Sequence, residues 1–304
     1  MPRIVTLLPS ATAIVCALGF EDQLVGRSHE CDFPASVVQL PALTEAKFNP
    51  EGTSAEIDER VKTIVGDALS VYRVDAARLR ELRPDVIVTQ SQCEVCAVSE
   101  REVEAAVALW LGARPKIVSL APYGLDDIFT DMQRVADALD ARARGLELVE
   151  RILNRLTRIA DEAGSAPDRP RVAMIEWIDP LMAAGNWMST LVEMAGGLNL
   201  FGAAGQHSPW MKFDELAAKD PDVILISPCG FSMDRAAQDL SALTNRAEWD
   251  GLKAVRTRRV FMADGNQYFN RPDPRIAESL EILAEITHPD LFHFGHEGSG
   301  WRRL

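Results

Sequence analysis

No apolar run in this chain of 304 residues approaches the roughly 20 needed to cross a bilayer, so no membrane insertion is expected. Cysteine is scarce: five, odd in number and scattered, which excludes a disulfide framework as the organising principle. Positive charge is in deficit. Lys and Arg total 32 against 45 Asp and Glu, and the resulting net charge of −13 repels phosphate backbones and anionic bilayers, excluding nucleic acid as a partner. Met1-Pro2-Arg3 runs straight into a strand-like segment with no basic region, long apolar stretch or cleavage site, so a cytoplasmic location is expected. There is no phosphate-binding glycine loop, G-x-S-x-G, H-E-x-x-H or dinucleotide fingerprint, and the chain is read as not an enzyme. Carboxylates are so common that Glu176 and Asp179 alone are no sign of acid–base catalysis.

What is present suffices for a large core. Hydrophobic residues make up 47% and charged ones 25%, with a mean hydropathy of −0.05. The β-branched run Arg3–Leu8, closed by Pro9, precedes a helix ending at Gly19. Strands follow at Leu24–Ser28, Asp85–Gln90 and Lys116–Leu120, alternating with helical patterns at Ala55–Leu69, Ala76–Leu82 and Glu100–Gly112. This order predicts an α/β fold with mostly parallel sheets.

From Leu125 to Ala163, apolar residues at Ile128, Met132, Val135, Leu139, Leu146, Val149, Leu153 and Leu156 predict one long amphipathic helix, the alternative being two antiparallel helices broken at Gly145. A second strand series begins at Arg171 and continues at Val223–Ser227 and Arg259–Ala263, with a closing helix over Pro274–Ile286. It echoes the first: Leu79-Arg-Glu-Leu-Arg-Pro-Asp-Val-Ile-Val-Thr corresponds to Leu216-Ala-Ala-Lys-Asp-Pro-Asp-Val-Ile-Leu-Ile. The expectation is two Rossmann-like lobes, 1–123 and 165–290, joined by a rigid helix over 124–164. A flexible tail, 291–304, would hold His293 and His296, with His288 just before it.

Ligands approach parallel sheets at the carboxyl ends of strands. Those ends collect His29, Glu30 and Cys31 after the second strand, and Gln92, Cys93 and Cys96 after Asp85–Gln90. In the second lobe they collect Glu176, Trp177, Cys229, Asn266, Tyr268 and Asn270, with Trp187 and Trp210 in neighbouring loops. Aromatic faces mixed with amides suit a flat or macrocyclic ligand; the alternative is that the tryptophans pack at a lobe interface. Cys93 and Cys96 form a lone C-x-x-C that, with Cys31 and with His29 or Cys229, gives a candidate soft-ligand metal set; dithiol exchange and packed thiols are the alternatives.

Thr6-Leu-Leu-Pro-Ser-Ala-Thr, Ala17-Leu-Gly, Arg83-Pro-Asp-Val-Ile-Val and the second lobe together resemble the ABC-importer substrate-binding proteins of the helical-backbone metal-receptor class. Glu176-Trp-Ile-Asp-Pro-Leu-Met-Ala-Ala-Gly, Ser208-Pro-Trp210 and Asp264-Gly-Asn-Gln-Tyr-Phe-Asn-Arg-Pro-Asp-Pro-Arg275 look like the cobalamin-binding branch. The resemblance covers nearly the whole chain to about residue 290 and implies non-catalytic binding of a corrinoid, cobalamin, in a cleft between two lobes, with no cofactor required. It places Trp210 against the ligand, puts the Asp264 to Phe269 loop and the His29 to Phe33 loop at the cleft rim, sets Tyr72 near an aromatic position, and implies an ABC permease as partner. An acidic residue seven before the Pro-Asp of each lobe meets the permease in that family; Asp214 occupies this place in the second lobe, but Ala77 in the first. Intracellular corrinoid handling is therefore weighed beside uptake. The remaining alternatives are a siderophore or haem ligand, and a metal- or thiol-dependent enzyme using Cys31, Cys93 and Cys96.

Overall fold

The computed structural model describes residues 1–66, 71–91, 100–107 and 114–304. The chain divides into two compact units, the first of Met1–Gly52, Glu59–Pro122 and Asp126–Arg151, the second of Thr53–Asp58, Tyr123–Leu125 and Ile152–Leu304.

The first unit runs β1 (Ile4–Thr6), α1 (Pro9–Ala17), β2 (Leu24–Arg27), β3 (Thr44–Ala46), α2 (Ser54–Gly66), β4 (Tyr72–Val74), α3 (Ala76–Leu82), β5 (Val86–Gln90), α4 (Glu100–Val107), β6 (Lys116–Leu120) and α5 (Leu125–Ala138). The first turn of α2, to Asp58, and the first residue of α5, Leu125, group with the second unit. A parallel sheet takes the order β2-β1-β5-β6, and β3 pairs antiparallel with β4. All of β5 is buried, as its uninterrupted Val-Ile-Val run requires of a central strand covered on both faces. Val5, Leu7, Leu43, Leu79 and Ile87 pack into one core with Val103 of α4.

α6 (Arg142–Ala163) carries the chain into the second unit: β7 (Arg171–Trp177), β8 (Met182–Ala183), α7 (Met188–Met194), β9 (Leu198–Asn199), α8 (Phe213–Lys219), β10 (Val223–Ile226), α9 (Met233–Asp239), α10 (Ser241–Thr244), α11 (Lys253–Arg256), β11 (Val260–Ala263), α12 (Ile276–Thr287) and β12 (Trp301–Arg303). The sheet order is β12-β11-β10-β7-β8, with β9 parallel to β7 and the outer strands β12 and β8 antiparallel to their neighbours.

The internal echo is geometric as well as textual. After α3, Arg83 takes a left-handed φ of 45°, Pro84 follows, and the Asp85 carboxylate accepts the Arg3 N–H at 2.7 Å. After α8, Asp220 takes φ 39°, Pro221 follows, and the Asp222 carboxylate accepts the Arg171 N–H at 2.8 Å. In both, a left-handed residue closes the helix, proline prevents its extension, and aspartate fixes the next strand beside the first.

Two expectations are corrected. The single helix over 124–164 is two helices, because Asp140 adopts φ 54°, and an α-helix does not run through a left-handed residue. The break is not at Gly145, which lies inside α6; a Cβ there would meet Ala136 Cβ at 2.5 Å, so this glycine admits α5 rather than ending a helix. Nor is 291–304 a loose tail. β12 pairs with β11, Trp301 is buried, and its indole Nε1 donates to Glu285 at 2.7 Å. The Gly295 N–H donates to the other oxygen of Glu285 at 2.6 Å, while His296 Nε2 lies 2.8 Å from Glu281, whose carboxylate also receives the fork of Arg155 from α6. His288 is buried at the end of α12.

Candidate functional site

In the first unit, β2 delivers Arg27 to the carboxyl edge of the sheet. Its buried guanidinium folds back to donate to the carbonyls of Ser28, His29 and Val38 at 2.9, 3.2 and 2.9 Å, which fixes the loop that follows. Thr44, the first residue of β3, completes the frame: its Oγ1 accepts the His29 backbone N–H at 3.0 Å and lies 2.7 Å from His29 Nδ1 and 2.8 Å from Ser28 Oγ. The exposed His29 ring sits 5.3 Å from the Tyr72 ring, tilted by 55°. Burial of its packed side, then the nearby Arg27 charge, holds its pKa below the ordinary histidine value against the opposing pull of Glu45. The shift favours the neutral imidazole.

Tyr72 is itself buried, and its hydroxyl donates to Glu30 at 2.8 Å, so it braces His29 more than it offers a face. Phe33 is exposed at the same rim. Cys31 points the other way: 1% exposed, its sulfur accepts the Thr12 hydroxyl at 2.9 Å, and Thr12 in turn bonds Thr6 at 2.7 Å. Gln92, Cys93 and Cys96 lie outside the described residues. Among the described residues, no group of three or more His, Cys, Asp and Glu side chains is arranged to hold a metal ion.

The second unit builds its rim differently. Trp210 is 54% exposed beside β8, where it bridges to Met182, and among the described residues is the tryptophan that offers a broad open face. Trp177 and Trp187 are corrected from rim to core, at 9% and 5% exposed. Trp177 packs on Phe231 at 5.2 Å, and Trp187 is turned inward at the start of α7. Glu176, half-buried, accepts the Ser208 hydroxyl at 2.9 Å, and the same hydroxyl oxygen receives the Gly185 N–H. After β11, the Asp264 carboxylate accepts the N–H groups of Asn266 and Gln267 at 3.0 and 2.8 Å, capping the helical turn 265–269. Burial raises the Asp264 pKa despite those bonds and the charges of Arg271 and Arg275.

Amides expected to face a ligand are used within the fold. Asn270 Nδ2 donates to the carbonyls of Ser227 and Gly265 at 3.3 and 3.0 Å, and Asn266 Oδ1 accepts from Arg271 at 2.8 Å. Tyr268, half-buried, lies under the Arg275 guanidinium at 4.5 Å. Cys229 is half-buried after β10. Sequence reasoning missed Arg27 and Thr44, which set His29; Thr44 lies in a polar stretch whose pairing with β4 is long-range. Ala77 and Asp214 take the second position of α3 and α8 respectively, and both are exposed, so the count of seven residues places them equivalently.

The profile of the periplasmic binding protein family matches residues 4–266. The chain is 23% identical over 295 residues to an uncharacterised ABC transporter substrate-binding lipoprotein of Bacillus subtilis, covering 95% of this chain and 81% of that one. It is 23% identical over 296 residues to the vitamin B12-binding protein of Vibrio cholerae, covering 92% and 86%. Among solved structures it resembles the periplasmic haem-binding protein of Roseiflexus, with TM-score 0.68, 20% identity and coverage of 95% and 98%. It resembles the periplasmic vitamin B12-binding protein of Vibrio cholerae with TM-score 0.66, 19% identity and coverage of 94% and 96%. These likenesses show the two-unit α/β fold.

Proposed function

This chain belongs to the periplasmic binding protein family, and from that premise we propose that it is a non-catalytic binding protein for a corrinoid of the cobalamin class. The observation that carries the reading is Trp210. An indole left 54% exposed on a strand-edge loop, at the carboxyl side of a parallel sheet, is a binding face kept open at a cost in solvation. A flat, amphipathic macrocycle fits such a face. The relatives named for vitamin B12 span more than nine-tenths of this chain, which supports the corrinoid reading.

Haem is the second reading, supported by the fold's likeness to haem-binding proteins. Calorimetric titrations with cyanocobalamin and with haemin separate the two. Saturation by cyanocobalamin near about one equivalent supports the corrinoid reading; saturation by haemin alone replaces it, and no saturation by either at micromolar ligand overturns both. ABC uptake is the family's trait, with Asp214 as the docking acid and Ala77 as the departure. Fractionation of the native cell tests intracellular handling: recovery outside the cytoplasm would replace the cytoplasmic expectation and favour uptake.

A further inference from the structure

His29 carries a nitrogen that the fold has positioned but not used. Its Nδ1 lies 2.7 Å from Thr44 Oγ1, whereas Nε2, on an exposed ring, has no partner among the described residues. The hydrogen bonds around Thr44 allow the ring two tautomers. A hydroxyl offers one proton and two lone pairs. The His29 backbone N–H at 3.0 Å occupies one lone pair, which leaves one lone pair and one proton for Nδ1 and for Ser28 Oγ at 2.8 Å. Two arrangements satisfy Thr44: its proton goes to Nδ1 while Ser28 Oγ donates to it, or Nδ1–H fills the second lone pair while the Thr44 proton goes to Ser28; in the second Nε2 keeps an outward lone pair, and a metal selects that tautomer. Ring rotation is limited by Tyr72, 5.3 Å away and itself tied to Glu30. A histidine held through one ring nitrogen by an oxygen, with the other nitrogen open, is how proteins orient an imidazole toward a metal.

A metal macrocycle supplies its own four equatorial nitrogens and needs only one axial donor from the protein. We propose that His29 Nε2 is that donor, ligating the metal centre of the bound macrocycle; the inference rests on the binding function above. The step is a ligand exchange. The Nε2 lone pair forms a bond to the metal, the bond from metal to an exchangeable water breaks, the water leaves with its protons, and no electron is transferred. Nδ1 keeps its proton throughout. A macrocycle whose axial position carries cyanide is not exchanged in this way and gains nothing from His29.

The test is a visible-spectrum titration of the full chain and of its His29→Ala and Thr44→Val variants with aquocobalamin, cyanocobalamin and haemin. Adducts of aquocobalamin and haemin with free imidazole serve as spectral references. The wild-type protein should convert aquocobalamin to the imidazole-type spectrum. His29→Ala should abolish that conversion and weaken aquocobalamin binding at least about tenfold more than cyanocobalamin binding. Thr44→Val keeps the ring but loses its anchor, and should weaken the aquocobalamin complex by about tenfold relative to cyanocobalamin. Circular dichroism and thermal midpoints of the variants establish that they are folded. An imidazole-type spectrum with haemin and not with aquocobalamin, lost in His29→Ala, supports the same donor on iron. Saturable binding with water retained at the metal, or an imidazole-type spectrum that survives His29→Ala, overturns the inference while leaving the binding function intact. No binding of any of the three overturns both.

Discussion

The two units share a device for starting a strand and differ in how they finish one. At the amino edge, Arg83-Pro-Asp85 and Asp220-Pro-Asp222 make the same turn and the same carboxylate–backbone bond. At the carboxyl edge, the first unit leaves an imidazole nitrogen open on a side-chain frame of Arg27, Thr44 and Tyr72. The second unit spends its polar groups on its own backbone, through Asp264 and Asn270, and offers one indole. It is also closed by a strand with no counterpart in the first unit's described sheet. The two units share what aligns strands, because every parallel sheet needs it; the rims, which alignment does not constrain, differ.

The largest effect should come from the added strand. Trp301→Ala removes buried aromatic surface, the edge contact with Phe261 at 5.4 Å and the bond to Glu285. Thermal or urea unfolding should show a loss of about 3–5 kcal/mol. An unchanged midpoint would mean that β12 is ornamental and that the two units are more alike than the sheet order indicates. Trp210→Ala tests the platform. Calorimetry should show ligand affinity falling about 30-fold, about 2 kcal/mol, with the thermal midpoint unmoved because the ring is half exposed.

Next come the matched aspartates. Asp85→Asn and Asp222→Asn should each cost about 1–2 kcal/mol, Asp222 the more because it also pairs with Lys253 at 2.6 Å. Burial pushes the Asp222 carboxyl up, but the bonds and charges of Lys253 and Arg171 outweigh it and hold the pKa below the ordinary value. Its contribution to stability is therefore present above about pH 4 and lost as the pH falls through the lowered value, which acid titrations of wild type and variant will read.

Each unit also buries a carboxyl that is pushed upward. Asp131 in α5 rises to about 6, by burial first, with Asp127 adding and the Ala121 N–H and Arg134 opposing. Asp273, wholly buried before α12, rises to about 7 by burial, with Glu278 adding and Arg275 and Arg271 opposing. Here the sign reverses: the folded state binds the proton more tightly, so stability is lost as pH rises between about 4 and these values. Asn substitution should flatten the slope over that range, further toward neutrality for Asp273. The smallest expected effect is Ala77→Glu. Its exposed place in the first turn of α3 predicts a stability change within about 0.5 kcal/mol, so any gain in permease binding will read docking alone.

Strand positions were legible where buried parallel strands are continuous apolar runs: Val86–Gln90 and Val223–Ile226 lie within the segments 85–90 and 223–227 read from the sequence. The helix break was not, because the apolar spacing continues unbroken across Asp140, while a left-handed φ leaves no trace in hydropathy. Trp177, Trp187 and Trp210 read alike in sequence, since the indole is equally at home in a core and on a rim. The three-residue strand β12 is too short for an alternation to register, and its cue, a glycine-rich approach, reads equally as a loop.

By itself the sequence determined what depends on neighbours along the chain: two α/β repeats, the turn that starts β5 and β10, the negative surface, and a likeness that family membership upholds. Tertiary structure decided everything that needs residues distant in sequence to meet. Thr44 reaches His29 across 15 residues and Glu285 reaches Trp301 across 16, and only such closures fix which nitrogen stays open, which tryptophan is exposed and whether a tail is held. The physical reason is burial. A side chain's period tells which face it takes on its own element, but whether that face is covered is settled by what packs upon it.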